Sequence, residues 1–129
     1  RYLSPEVLSE TMPLTFDAFR MSDIYSMGLI MWEIVRRTNV KNQCETYELP
    51  YYDMVPSNPS QEDMRVVVVD RNCRPALPSR FDDFQFSPVL AEVTRAMREC
   101  WSVNPHARNQ ALVVRNMIDR LCSDQHLIL

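Results

Sequence analysis

The chain has 129 residues, 46% hydrophobic and 24% charged, enough for one domain or a large piece of one, and this is not the composition of a disordered or collagen-like protein. Fourteen Lys+Arg against 17 Asp+Glu give a net charge of −3, too little positive field for a nucleic-acid partner. Its single glycine, Gly28, excludes the glycine-rich phosphate loops, each of which needs at least two.

In chain order, Ser4 and Pro5 open a short helix through Glu6, Val7 and Leu8 that Pro13 stops. A second helix is expected from residue 22 or 23 to about residue 37. Its Ile24, Met27, Leu29, Ile30, Met31, Trp32, Ile34 and Val35 leave almost no polar face, and such a helix, too short to span a membrane, belongs inside a larger core. Asp23 suits its positive N-terminal end, and Arg36 with Arg37 its negative C-terminal end. The connection over 38–59 carries Pro50, Pro56 and Pro59 with Tyr47, Tyr51 and Tyr52, and its length reads as a functional loop or a disordered one. Ser60 caps a third helix with Glu62 and Asp63 in its first turn and Met64, Val67 and Val68 on one side. The four valines at 66–69 alone would suit a strand, but the cap and acidic first turn favour a helix. Ser87-Pro88 opens a fourth, with Leu90, Val93, Met97 and Cys100 at helical spacing and Arg95 paired with Glu99 across one turn. A last helix from about residue 110 to residue 122 directs Val114, Met117, Ile118 and Leu121 inward. Nothing requires a sheet, so the chain reads as an all-α segment.

No apolar run approaches the ~20 residues of a membrane span, and residues 1–5 have no charged head followed by an apolar stretch. Neither membrane contact nor a secretory signal is expected in this segment. Cys44, Cys73, Cys100 and Cys122 are widely spread without a CxxC pair and read as reduced structural cysteines. His106 and His126 stand apart, so no metal site is expected. Asp82 with Asp83, and Glu62 with Asp63, read as solvated loop and helix-start charges, and no general acid/base pair emerges.

Three signatures fall in one order: Ser4-Pro5-Glu6, then Asp23-Ile24-Tyr25-Ser26-Met27-Gly28, then Cys100-Trp101 with Asn104-Pro105 and Arg108. Together they resemble the lower half of the C-terminal (large) lobe of a protein kinase, from the Ser-Pro-Glu motif to the last helix. Residues 1–8, 23–37, 48–60 with their Leu49-Pro50-Tyr51-Tyr52-Asp53 block, and 97–101 resemble more narrowly the type I serine/threonine kinase receptors for transforming growth factor-β, activin and bone morphogenetic proteins. The resemblance places residues 1–122 in the C-terminal part of a kinase catalytic domain and leaves 123–129 as a tail.

The resemblance implies roles. Glu6 is similar to the glutamate that forms a buried ion pair with the arginine found here as Arg108. Asp23 resembles the aspartate at the start of a central helix that braces the catalytic loop. Tyr2, Leu3 and Ser4 fall on the substrate-facing loop, where Tyr2 and Leu3 shape the pocket for the residue after the phosphorylated one. Tyr51 and Tyr52 lie in a loop where substrates or regulators dock, or which is a family-specific packing feature. There are departures: Ser4 replaces alanine, Tyr25 stands where tryptophan is common, and Gln110 stands where many kinases have a Ser or Thr helix cap, a loss of about 1 kcal/mol for the last helix unless Asn109 substitutes.

Phosphoryl transfer needs a glycine-rich lid, a paired lysine, a catalytic aspartate and a magnesium-binding aspartate. Lys41 lies in a polar stretch, His106-Ala107-Arg108-Asn109 is not a His-Arg-Asp loop, and Asp83-Phe84-Gln85 lacks the glycine. The resemblance therefore implies ATP and Mg2+ or Mn2+ for a whole kinase, with no catalytic or cofactor-binding residue here. It implies as partners the N-terminal half of the kinase domain, a type II receptor and receptor-activated signalling substrates, at the cytoplasmic side of the plasma membrane in a single-pass receptor. The start at Arg1-Tyr2 without an initiator methionine reads as a fragment, expected to be marginally stable or aggregating alone. The alternative is a non-catalytic helical interaction module that binds partners through its tyrosine loop.

Overall fold

Residues 1–124, described by a computed structural model, form α1 (Pro5–Leu8), α2 (Phe16–Arg37), α3 (Gln61–Arg65), α4 (Pro88–Cys100) and α5 (Ala111–Asp124). A π-helical turn at Val66–Asp70 continues α3, and 3-10 turns lie at Ser79–Asp82 and Pro105–Ala107. Among the described residues there is no strand, only an isolated antiparallel bridge between Val40 and Gln43. Of the tail expected over 123–129, Ser123 and Asp124 extend α5, and 125–129, with His126, lie outside the described residues.

Helix α2 starts earlier than the 22 or 23 expected, because Thr15 caps it: its hydroxyl accepts the Ala18 amide at 3.2 Å, and Asp17 sits in the first turn beside Arg20. Ser22, one of the two expected starts, instead bonds Ser4. Asp23 is thus an exposed position inside α2, not its N-terminal charge. Ile24, Tyr25, Leu29, Trp32 and Val35 are buried, and the Trp32 indole donates to the Ala76 carbonyl at 3.0 Å. The opposite face, with Phe16, Phe19, Ile30 and Ile34, is open, so α2 is not enclosed on all sides within the described residues. Helix α4 packs across α2 at Gly28, where a Cβ would stand 3.1 Å from both the Cys100 Cβ and the Met97 carbonyl oxygen.

Ser60 and Asp63 form a reciprocal capping box that starts α3. The valines beyond it are neither strand nor regular α-helix: they widen into the π turn, which brings the sequence neighbours Val67 and Val68 both into the core. Ser87 caps α4 by accepting from the Leu90 amide, and Leu90, Met97 and Cys100 are buried while Val93 is half-buried. The inward set expected on α5 needs correction. Only Val114 is buried, Met117 and Leu121 are half-buried, and Ile118 is 36% exposed. The helix meets α4 along one edge, leaving a groove of about 740 Å³ lined by Val89, Val113, Met117 and Leu121.

The connection after α2 is held by hydrogen bonds rather than loose. The Arg36 carbonyl accepts the Glu45 amide, the Arg36 guanidinium donates to the Thr46 carbonyl, and the Met54 and Val55 amides donate to the Tyr51 carbonyl. Arg36 itself lies between the Trp32 and Tyr52 rings. The four cysteines are free thiols; Cys100 is buried in the core, which pushes its thiol up to about 11, aided by the neighbouring Glu99 charge.

Candidate functional site

The segment before α1 is tied to α2 residue by residue. The Tyr2 hydroxyl donates to the Glu33 carboxylate, the Ser26 hydroxyl donates to the Tyr2 carbonyl at 2.9 Å, and the Ser4 and Ser22 hydroxyls share a bond of 2.9 Å. Burial and the Glu33 anion both push the Tyr2 phenol well above its usual value, so it remains a donor. Ser4 is buried, and Leu3 between these anchors faces solvent. Arg1 is gripped from the other side: its guanidinium donates to the carbonyls of Pro50 (2.9 Å), Pro56 (2.8 Å) and Ser57 (2.9 Å).

Glu6, in the first turn of α1, meets Arg108 in a bidentate pair at 2.7 and 2.8 Å. The Arg108 side chain is 0% exposed and that of Glu6 12%. Arg108 also donates to the carbonyls of Ser102 and Met21, both at 2.9 Å, so one guanidinium joins α1, α2 and the turn after α4. Burial by itself raises the Glu6 carboxyl, but the hydrogen bonds and positive charge of Arg108 outweigh it and hold the group below its ordinary 4.5.

Behind the pair lies Tyr25, whose ring is faced by the guanidinium carbons of Arg108 at 5.1 Å and Arg74 at 5.2 Å. Its hydroxyl bonds that of Tyr51 at 2.8 Å. Tyr51 is fully buried, so of the two tyrosines expected to form a docking loop only Tyr52, 42% exposed, faces solvent. Burial keeps a side chain from being offered to a partner.

Glu33, Tyr25, Arg74 and Arg1 were not singled out from the sequence as site residues. Glu33 had a signal, as the one acid within the apolar run of α2; the carbonyl grip on Arg1 had none, because backbone acceptors are invisible to side-chain motifs. Asp23 lies apart from this network, on the open face of α2.

Lys41 donates to the Gln85 carbonyl and sits over the Phe86 ring, and among the described residues no three His, Cys, Asp or Glu side chains gather as a metal site. Among the described residues, no helix is long and apolar enough to cross a membrane.

Residues 1–6 are thus held against α2 and the Arg108 turn. No family model matches the chain. Individual proteins do: it is 50% identical over 123 residues to the rat activin receptor type-1C, 45% over 122 residues to the human activin receptor type-1B, and 42% over 126 residues to the human TGF-beta receptor type-1. These alignments cover 94 to 97% of the chain, which is thus homologous to type I serine/threonine kinase receptors. The chain spans about a quarter of the length of these curated relatives.

Proposed function

We propose that the chain is the C-terminal part of the large lobe of a receptor serine/threonine kinase. The whole protein transfers phosphate from ATP to serine or threonine of signalling substrates in transforming growth factor-β-type signalling. In this reading the segment scaffolds the active site and carries the substrate-facing loop. The observation that carries it is the double hold on residues 1–6, by α2 through Tyr2 and Ser4 and by Arg108 through Glu6, in a chain homologous to such receptors. Phosphoryl transfer depends on positioning more than on protein covalent chemistry, and a loop fixed at both ends supplies it for the acceptor.

The remaining roles follow the same reading. Tyr2 and Leu3 shape the pocket for the residue after the phosphorylated one. Asp23, in the middle of the open face of α2, accepts backbone amides of a catalytic loop supplied by the N-terminal half of the kinase domain, which covers Ile30 and Ile34. ATP and Mg2+ or Mn2+ are bound by that other half. Tyr52 belongs to a docking surface, and the type II receptor and the signalling substrates are partners of the whole protein on the cytoplasmic side of the plasma membrane.

The test is phosphate transfer from labelled ATP to a protein substrate by the full-length protein, beside Asp23→Asn and Arg108→Ala. Transfer by the wild type, reduced in both variants, is the expected result. A full-length protein that binds signalling partners yet moves no phosphate overturns it and leaves a helical interaction module.

A further inference from the structure

We propose that Tyr51 is a positioning residue for the substrate-facing loop, acting through the Tyr25 hydroxyl on the Arg108–Glu6 pair and through its own turn on Arg1. The role rests on the kinase reading above and adds to it the residue that sets where the loop stands.

Two paths lead from Tyr51 to the loop. Along the first, its hydroxyl bonds that of Tyr25 at 2.8 Å, with both side chains fully buried. That bond fixes the Tyr25 ring, which lies between the guanidinium groups of Arg108 and Arg74. Arg74 is itself held by the carbonyls of Trp101 (3.0 Å), Cys73 (2.7 Å) and Val68 (3.2 Å), so the ring meets Arg108 with an anchored guanidinium also against it. Arg108 in turn holds Glu6. Along the second path, Pro50, which precedes Tyr51, and Pro56 and Ser57, which follow it, give their carbonyls to Arg1 at the start of the same loop. One turn therefore fixes both ends of residues 1–6.

The backbone supplies an independent sign. Tyr51 has a φ of 62°, the left-handed region that a bulky residue enters only when its surroundings dictate it. A phenylalanine would fill the same core volume, so the hydroxyl is what core packing leaves unexplained. Burial raises both phenols above their usual value, so both remain protonated and the bond persists across the physiological range.

The experiment measures initial rates of the full-length protein as protein substrate and ATP are varied in turn, with thermal midpoints, for wild type, Tyr51→Phe, Tyr25→Phe and the double variant. Each single variant leaves one buried hydroxyl without its partner and lowers the midpoint; the double variant removes both polar groups and regains it. The KM for protein substrate rises about fivefold in all three, the factor carried by a hydrogen bond of about 1 kcal/mol, and the KM for ATP does not move. A protein-substrate KM that stays at the wild-type value, or that recovers with the midpoint in the double variant, reduces Tyr51 to a core residue and overturns the role. A wild type without phosphate transfer overturns the kinase reading and the role together.

Discussion

Arg108 is bound on all sides by acceptors: two Glu6 oxygens and the carbonyls of Ser102 and Met21, with the Tyr25 ring against its face. A guanidinium this buried is stable only while the carboxylate neutralises it, so removing either partner leaves an uncompensated charge or a set of orphaned carbonyls. Arg108→Ala is expected to cost about 3–5 kcal/mol in denaturant unfolding of the full-length protein. A loss under about 1 kcal/mol, typical of exposed pairs, would refute this. The pair also sets an acid limit. Because the folded Glu6 carboxyl lies below its ordinary 4.5, its stabilisation is complete above pH 4.5 and is lost as pH falls through the lower folded value. Unfolding measured from about pH 6 to about pH 3 should therefore show a steeper loss for the wild type than for Glu6→Gln, whose side chain does not titrate.

Helix α2 and helix α4 approach each other over a position without a side chain. Alanine at 28 would gain about 1 kcal/mol of helix propensity, but its Cβ would stand 3.1 Å from the Met97 carbonyl oxygen, a backbone atom of α4 that cannot rotate aside. The clash is the larger effect: Gly28→Ala is expected to destabilise by about 1–3 kcal/mol, the range of overpacked cores, and a higher melting temperature would show that α4 can slide. At the other end of the core, Ser60→Ala removes one half of the capping box that starts α3 and should cost about 1 kcal/mol, read as a fall in the thermal midpoint. These two elements also mark how far the sequence is legible. Ser60, Ser87 and Pro88 announce helix starts because caps are local chemistry, and the Ser4-Pro5-Glu6 and Arg108 signatures fall where the structure places an ion pair. The start of α2 at Phe16 was missed because Thr15 is followed by Phe16-Asp17, without the apolar period that marks a helix. The π turn was missed because consecutive buried valines satisfy strand and helix patterns equally, and only the packed core chooses. The carbonyl grip on Arg1 and the Tyr25–Tyr51 bond depend on long-range backbone placement that no spacing rule carries.

At the scale of the molecule the dominant feature is the open face of α2. Phe16, Phe19, Ile30 and Ile34 recur at helical spacing, with Phe16 82% and Ile34 63% exposed, and Asp23 lies on the same face. Large apolar side chains aligned in this way mark a surface that another body covers, and uncovered they drive association. The 129-residue chain on its own is therefore expected to sediment as oligomers or aggregate at micromolar concentration. Ile34→Asn should shift it toward monomer with little change in its thermal midpoint, because the side chain is 63% exposed. In the full-length protein the same substitution should act in the opposite sense: if the N-terminal half covers this face, it buries an amide among apolar neighbours and costs about 2–4 kcal/mol. The two measurements answer each other. A monomeric chain whose full-length counterpart tolerates Ile34→Asn would mean that the face is ordinary surface and that the proposed N-terminal half does not cover it.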